Sequence, residues 1–473
     1  IPRVLYNYEM FPYWNAFFTE VGFEVVLSEV TNPRIVHRSV EALVVESCFP
    51  INVVHGHVLS LIDKGVDYIF LPSIINMKPS NPKFEQNYAC PYAQAIPYTI
   101  RSAIDVESYG VKMLSPSLFF QRGRKAIEKA LVEMGRELGK SAEEVRRAID
   151  AAEEHQREFY RKLRAKGEEV LRNLDRYERP VVVISRPYNG CDPGLNLNLP
   201  QKLRDLGALA IPMDLLPLDR VDIYETSPHM YWHYGKRILS AVKLVKENEK
   251  LNAVFISNFR CGPDSFILHF VREQMGSKPY LQLEVDEHSA DAGVITRLEA
   301  FFDSLKGAKQ RPPKPEKSLQ VYTSLEPERV LYLPLMSDHA YALSAAFRAF
   351  GIPSEPLPES DEETLEWGRK FTSGKECFPF ITTTGDILKK VHSPDFDPKR
   401  AAFFMGTASG PCRFGQYYMM QRIILDEMGY EDVPLFTLSS NSAYADGRLA
   451  VSYTHLRAHE TRHDLVCRLL LEK

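Results

Sequence analysis

The sequence lacks a cluster of basic residues and a long apolar run, and each absence excludes a class of protein. Lysine and arginine number 58 against 62 acidic residues, for a net charge of −4, and no basic patch is visible, so we expect no nucleic-acid partner. No apolar run reaches the ~20 residues of a membrane span, and no signal peptide opens the chain. We therefore expect no membrane partner.

Cysteine is scarce, with seven residues scattered over a chain of 473. This is not the pattern of a small secreted disulfide scaffold, and it predicts a cytoplasmic protein. In that compartment an isolated cysteine is either a buried small hydrophobe or a metal or redox ligand. The sequence contains no C-x-x-C motif, and it contains no glycine-rich phosphate loop. We therefore do not expect this stretch of chain to bind ATP itself.

The two ends of the sequence are unusual. The chain begins at Ile1 rather than Met, which suggests an internal part of a longer protein. In the last 23 residues, His455, His459, His463 and Cys467 follow at steps of four and imitate a zinc site on one helix face. Residues 451–461 and 465–473, however, back-translate into sequences that resemble DNA library adapters. We interpret 451–473 as an artefact, which leaves six cysteines.

Short apolar runs alternate with helical patterns, which predicts an α/β fold of repeated Rossmann-like parallel-sheet modules with an inserted helical segment. Strands are expected at residues 3–6, 25–27, 68–71, 181–184, 253–256 and 402–405, and helices at 13–21, 124–173 and 238–245. The predicted organisation is a first cysteine module at 1–225, with its helical insertion at about 120–175, and an α/β unit at 226–308. A proline-rich linker at 309–319 precedes a truncated second copy of the module at 320–450.

The second copy is indicated by an internal repeat. Cys377-Phe378-Pro379 echoes Cys48-Phe49-Pro50, Gly385 matches Gly56, and the segment 345–351 matches 16–22, all at a constant offset of 329 residues. A gap-free match of this length suggests duplication rather than chance. Each copy carries a second cysteine after a predicted strand, Cys90 in the first and Cys412 in the second.

These cysteines lie where ligands are expected in an open parallel sheet. Cys90, Cys261 and Cys412 follow predicted strands, while Cys48 and Cys377 open predicted helices. The free N–H groups and positive potential of a helix amino end stabilise thiolates and an anionic cluster. The alternative is a buried helix-capping cysteine without chemistry, and repetition of the motif shifts the interpretation only modestly toward a ligand role.

Several strings together resemble the acyl-CoA dehydratase activase-related proteins of the CoA enzyme activase family. They are residues 1–9, 48–57, 89–92 (Ala89-Cys90-Pro91-Tyr92), 260–265, 284–293 and 409–416. That group is related to the 2-hydroxyacyl-CoA dehydratase subunits and to the double-cubane cluster protein. The resemblance implies that Cys48, Cys90 and Cys261 ligate one cubane cluster, and that Cys377 and Cys412 are two ligands of a second cluster. The implied cofactor is either of the [4Fe-4S] type or a double cubane.

The resemblance also implies partners. In that family the cluster-bearing region is often joined to an ATPase activator domain or subunit, expected upstream of Ile1, that drives anaerobic delivery of low-potential electrons. The acceptor would be a CoA thioester or another small molecule. The missing third ligand of the second cluster is expected beyond Ala450.

Other residues receive less weight. Cys191 has no repeat partner and is interpreted as a spectator. His55 and His57 are expected to be structural or to hydrogen-bond a cluster sulfur. The acidic run 284–291 is expected to be a strand-to-helix loop that caps the next helix rather than a hard-metal site. Arg260 and Arg413 adjoin cysteines and are candidates to offset negative charge or to meet a CoA phosphate.

Three hypotheses remain open from the sequence. The first is an iron–sulfur redox protein that transfers electrons. The second is a dehydratase-like lyase component that acts directly on a 2-hydroxyacyl-CoA. The third is a non-enzymatic scaffold whose cysteines are merely buried.

Overall fold

The computed structural model describes residues 1–289, 291–307, 325–326, 328–408 and 410–438. The chain divides into two compact units, Ile1–Glu316 and Lys317–Lys473. Their junction falls in the predicted linker, which, like the predicted artefact at 451–473, lies outside the described residues.

The first half of unit 1 is built from three helices followed by two short parallel strand pairs. The helices are α1 (Asn7–Glu20), α2 (Pro33–Ala42) and α3 (Phe49–Asp63), and the next elements are β1 (Tyr68–Phe70), β2 (Ser73–Asn76), α4 (Pro91–Ala103), β3 (Lys112–Leu114) and β4 (Ser117–Phe119). β1 pairs with β3 and β2 with β4, all in parallel. The buried core of this half includes Trp14, Phe17 and Leu61.

The strands predicted at 3–6 and 25–27 are wrong. Leu5 has a φ of 46°, and the chain turns there directly into α1. Isolated hydrogen bonds join the chain at these two segments. The Ile1 ammonium donates to the Val26 carbonyl at 2.7 Å, and Ser28 N–H donates to the Ile1 carbonyl at 3.3 Å. The turn ends the extended segment before a ladder can form.

The inserted helical segment is confirmed. It consists of α5 (Arg124–Glu137) and α6 (Ala142–Arg172), and α6 packs against α1. Ser141 and Glu144 form the expected capping box at the start of α6. Gln156 of α6 ties the insertion to α1, because its side chain accepts from Tyr13 N–H and donates to the Glu9 carbonyl.

The second half of unit 1 is a four-stranded parallel sheet of order β6-β5-β7-β8. The predicted strands at 181–184 and 253–256 are confirmed as β5 and β7. The elements are β5 (Pro180–Ile184), α7 (Pro187–Cys191), α8 (Leu199–Asp205), β6 (Leu209–Pro212), α9 (His233–Glu247), β7 (Asn252–Asn258), α10 (Asp264–Met275), β8 (Leu281–Val285) and α11 (Asp291–Gly307). The predicted boundary at 225/226 falls between β6 and β7 of this one sheet.

Unit 2 has a four-stranded parallel sheet of order β10-β9-β11-β12. Its elements are β9 (Val330–Leu333), α12 (His339–Ala349), β10 (Ser354–Pro356), α13 (Glu362–Lys370), α14 (Phe378–Val391), β11 (Ala401–Phe404), α15 (Tyr417–Glu427) and β12 (Leu435–Phe436). Short 3₁₀ turns, including Arg413–Gln416 before α15, complete the described chain. The α/β class with repeated parallel modules is therefore confirmed.

A pair of glycines shows that the repeat is structural. A Cβ on Gly56 of α3 would lie 2.1 Å from the Ile35 carbonyl oxygen of α2, and a Cβ on Gly385 of α14 would lie 1.9 Å from the Thr364 carbonyl oxygen of α13. Both glycines and both contacted residues are related by the same offset of 329. Each module thus packs two helices so closely that only glycine fits at the crossing.

Candidate functional site

Cys48, Cys90 and Cys261 each lie at the amino end of a helix. Cys48 is the N-cap of α3, and Cys90 is the N-cap of α4. Cys261 lies in the turn between β7 and α10, and its carbonyl accepts from Ser265 N–H in the first turn of α10. Such positions expose unpaired N–H groups and the positive end of the helix dipole to the sulfur atoms.

The three thiols share the same kind of environment. All are half-buried, and desolvation raises the pKa of Cys48 to about 12, raises the pKa of Cys90 and raises the pKa of Cys261 well above its usual value. At each sulfur a backbone N–H from three residues further along opposes that rise in pKa, contributed by Ile51, Ala93 and Asp264. The most regular of these contacts is Ala93 N–H to Cys90 Sγ, at 3.4 Å.

The thiols also influence one another and a common neighbour. Cys90 raises the pKa of Cys48 further, after desolvation, and Cys48 contributes to the raised pKa of Cys261. The pKa of buried Tyr188 is raised well above its usual value, chiefly by desolvation, and all three cysteines add to that rise. Cys48 and Cys90 pack against the hydrophobic cluster that contains Tyr188. The structure therefore brings these three predicted residues into one region.

This region is not a single-ion site. Within the described ranges, no three or more His, Cys, Asp and Glu side chains are grouped closely enough to hold one metal ion. A multi-iron cluster spreads its thiolates more widely than one ion does, and it carries negative charge. Three thiols at or just before helix starts, with a buried arginine near them, have the donor chemistry that such a group requires.

The arginine is Arg186, which sequence reasoning missed. It follows β5 and forms a buried bidentate ion pair with Asp264 of α10, with N···O distances of 2.7 and 2.6 Å. Its positive charge opposes the raised pKa of all three thiols. The available signal was an Arg-Pro step one residue after a fully apolar strand. A pairing across 78 residues, however, depends on β5 and β7 being neighbours in the sheet.

A second buried charge network joins α1, α6 and α9 and was also missed. Glu9 accepts hydrogen bonds from the hydroxyls of Tyr160 and Tyr234, both at 2.9 Å, and pairs with Arg237 at 3.2 Å. Burial would raise the pKa of Glu9, but Arg237 and the other donors hold it well below its usual value. Tyr234 stacks on Tyr6, with ring centroids 4.8 Å apart, which joins α1 to α9.

The two histidines of α3 are held by the protein itself. His57 is buried and hydrogen-bonds Ser28 Oγ through Nδ1 at 2.8 Å and Thr31 Oγ1 through Nε2 at 2.9 Å. Thr31 in turn donates to Asp192 at 2.5 Å. His55 Nδ1 contacts the Asn52 carbonyl of its own helix at 3.0 Å. His57 is thus in a structural role, one of the two alternatives expected from the sequence.

The remaining unit 1 candidates make contacts of their own. Cys191 ends α7, and Asp214 and Asp192 add to the rise in its pKa caused by desolvation. Arg260, with a φ of 61°, forms an exposed ion pair with Glu46. The acidic run begins in β8 and continues as a loop in which Asp286 accepts from Ser289 Oγ at 2.7 Å. Ala290, between this loop and α11, lies outside the described residues, so the expected cap by Asp or Ser stays a prediction.

In unit 2 the structure relates Cys377 and Cys412 through Tyr417. Cys377 is the N-cap of α14, and its Sγ lies 2.6 Å from the Tyr417 hydroxyl. Cys412 is exposed and precedes a 3₁₀ turn. The pKa of Tyr417 is raised well above its usual value by desolvation and then by Cys377 and Cys412, while Arg413 opposes that rise. Both cysteines therefore contribute to the raised pKa of the same tyrosine.

The fold and these positions define a class: repeated parallel α/β modules with cysteines at helix starts. Residues 1–216 match the family model described as the CoA enzyme activase uncharacterised domain (DUF2229). The match includes Cys48, Cys90 and Arg186, and it confirms the predicted relation to CoA enzyme activases for that part of the chain. The closer relation to dehydratase subunits stays a prediction. No curated protein matches the chain. Within the described part of the chain, no helix combines the length and apolar character needed to cross a membrane.

Proposed function

We propose that the protein is an iron–sulfur redox component associated with CoA enzyme activation, in which Cys48, Cys90 and Cys261 hold one cubane-type cluster. The observation that carries this proposal is the position of the three thiols: Cys48 and Cys90 are helix N-caps packed against the hydrophobic cluster that contains Tyr188, and Cys261 directly precedes α10. The Arg186 guanidinium is bound to Asp264 at the start of α10. These are the features that stabilise a thiolate-ligated anionic group.

Under this proposal, different residues would bind the cluster, exclude water from it and offset its charge. The three cysteines would hold the group, which supplies one-electron transfer at low potential when bound. Tyr188 and Phe49 are 6% and 4% exposed and would exclude water from one side. The helix N–H groups and Arg186 would offset negative charge. Cys377 and Cys412, which share Tyr417, are proposed as two ligands of a second cluster in unit 2.

The match to the CoA enzyme activase uncharacterised domain over residues 1–216 supports a proposed setting in CoA enzyme activation. An ATPase domain or subunit would supply energised electrons, and a CoA thioester or related small molecule would receive them. The reducing cytoplasm is the proposed location, because free thiols persist there.

Anaerobic reconstitution with iron and sulfide, followed by iron and sulfide analysis and absorption spectroscopy, tests the cluster. We expect a brown protein whose iron content falls in Cys90→Ala and is unchanged in Cys191→Ala, the matched control. Both replaced residues are cysteines of unit 1, but only Cys90 belongs to the proposed ligand set. A colourless, iron-free wild-type product would contradict the proposal and would favour a scaffold with buried cysteines.

A further assay separates electron delivery from dehydration. The reconstituted protein is mixed with a 2-hydroxyacyl-CoA, an ATPase activator and a reductant, and enoyl-CoA is measured. Under the proposal the cluster is reduced without formation of enoyl-CoA. Formation of enoyl-CoA by this chain would instead favour the dehydratase-like lyase component.

A further inference from the structure

Arg186 is held rigidly beside the cysteine region. It is 4% exposed, and both terminal nitrogens of its guanidinium donate to Asp264, which is 1% exposed. Ser257 Oγ at the end of β7 donates to Asp264 Oδ2 at 2.6 Å, so the carboxylate is itself fixed. A bidentate pair of this kind sets the orientation of the guanidinium as well as its position.

Asp264 is the first residue of α10 and lies three residues after Cys261, so its ion pair places the Arg186 guanidinium at the helix start that follows Cys261. At Cys48, Cys90 and Cys261 alike, the lowering of the thiol pKa by Arg186 is larger than the opposite effect of Asp264. Arg186 also opposes the raised pKa of Tyr188, to which the three thiols contribute. The buried ion pair thus fixes a positive charge at the helix start next to Cys261.

Stability alone is a poor explanation for this pair. A buried ion pair costs several kcal/mol of desolvation per ion, and apolar replacements of both partners are often neutral or stabilising. Arg260 offers a contrast, because it adjoins Cys261 in the sequence but forms its ion pair with Glu46 at the surface, where solvent screens its charge. Of these two arginines, Arg186 has the geometry to act on the site.

We propose that Arg186 is a positioning residue that sets the reduction potential of the group held by Cys48, Cys90 and Cys261. Its fixed positive charge stabilises the more negative, reduced form and so raises the potential, while Asp264 holds the guanidinium in place. This inference rests on the proposed function, because it assigns a role at the same cysteine site. It concerns the potential of the cluster, not its assembly.

The test is a redox titration of the reconstituted full chain, followed by absorption or electron paramagnetic resonance. Arg186→Gln is expected to shift the midpoint potential to lower values, while the iron content per chain is retained. Arg186→Lys keeps the charge without the bidentate geometry and is expected to lie between wild type and Arg186→Gln. The control Arg260→Gln removes an equal charge next to Cys261 and is expected to leave the potential unchanged.

Arg186→Gln leaves Asp264 buried without its cation and so risks misfolding. The double variant Arg186→Gln/Asp264→Asn removes both charges and is expected to fold and to show a lowered potential, because Arg186 is the dominant member of the pair at the thiols. A wild-type potential in this folded, iron-loaded variant, or an equal shift in Arg260→Gln, would overturn the inference. Iron-free wild-type protein would instead overturn the proposed function itself.

Discussion

The helix pair α2–α3 of unit 1 and the pair α13–α14 of unit 2 have the same local design and different surroundings. Each pair crosses at a glycine, and each second helix begins at the phenylalanine of a Cys-Phe-Pro motif, with the cysteine as its N-cap. Phe49 is 4% exposed and packs with Val53 in the core of the β5–β8 sheet, whereas its counterpart Phe378 is 58% exposed. A repeated motif thus repeats its local geometry, but the burial of its outer face depends on what packs against it.

The replacement of Phe49 by alanine is the strongest test of this difference. Phe49→Ala removes a fully packed ring from the core next to Cys48 and should cost about 3–5 kcal/mol in the free energy of unfolding. Phe378→Ala should change it by less than about 0.5 kcal/mol, because the ring is mostly exposed. Chemical denaturation of both variants measures the two costs. Similar costs would mean that the exposed ring is packed in solution, which would remove the contrast.

Alanine at the crossing glycines should instead reveal the equivalence of the two modules. Gly56→Ala and Gly385→Ala each place a methyl group against a backbone carbonyl, and each should cost about 1–3 kcal/mol. Gly293→Ala in α11 is the control, because no atom lies within 4 Å of its added methyl group, and it should be neutral or slightly stabilising. A cost at only one crossing, measured by thermal unfolding, would contradict the structural repeat.

His57 and Asp386 occupy the same position of the repeat, at the offset of 329. We expect the stabilities of their helices, α3 and α14, to depend on pH in opposite directions. Desolvation lowers the pKa of His57 from 6.5 to about 3, so α3 should lose stability as the pH falls below 6.5, when the unfolded imidazole binds a proton that the folded one refuses. Desolvation raises the pKa of Asp386 from 3.8 to about 6, although Ser360 and Lys389 oppose this. Above pH 6 the buried Asp386 carboxylate is ionised, and its desolvation destabilises the folded state. As the pH falls from 6 toward 4 the folded carboxylate binds a proton before the unfolded one does, so α14 should gain stability.

Hydrogen exchange of the α3 and α14 amides, corrected for intrinsic rates, measures both effects between pH 7 and pH 4. In Asp386→Asn the gain of α14 at low pH should disappear, while the loss in α3 should remain. The same pH response in both helices would refute the predicted difference between the two modules.

The smallest expected effect concerns Tyr417. Tyr417→Phe removes the hydroxyl that lies 2.6 Å from Cys377 Sγ and should cost about 0.5–1.5 kcal/mol in unfolding free energy. The exposed Tyr341 provides the control, since Tyr341→Phe should leave stability unchanged. Equal stability of the two variants in denaturant titrations would show that the contact between Tyr417 and Cys377 contributes nothing.

Much of the fold could be predicted because its signals are local. A few neighbouring residues are enough to predict the helix start at Ser141 and the strand at Val181–Ile184, and both predictions are confirmed. The strands predicted at 3–6 and 25–27 were wrong because their apolar character was real but their pairing depended on the turn at Leu5. Apolar composition predicts burial more reliably than it predicts a ladder of hydrogen bonds.

In the candidate site, too, local features could be predicted and long-range contacts could not. The helix starts at Cys48 and Cys377 could be predicted, because proline in the first turn and a following apolar helix are local features. The buried Arg186–Asp264 pair and the Glu9 network could not, since a charged residue that is buried with its partner has the same local sequence as one in solvent. Only the contact distinguishes them.

The sequence by itself determined the parallel α/β class, the duplication at an offset of 329 and the placement of cysteines at helix starts. The class and the helix starts follow from periodicity and capping, which act over a turn or two of chain, and the duplication follows from strings that recur at one offset. The tertiary structure alone decided that Cys48, Cys90 and Cys261 act on one tyrosine beside one buried arginine. The physical reason is that the order of strands in a sheet, not the distance along the chain, determines which loops meet at its carboxyl edge.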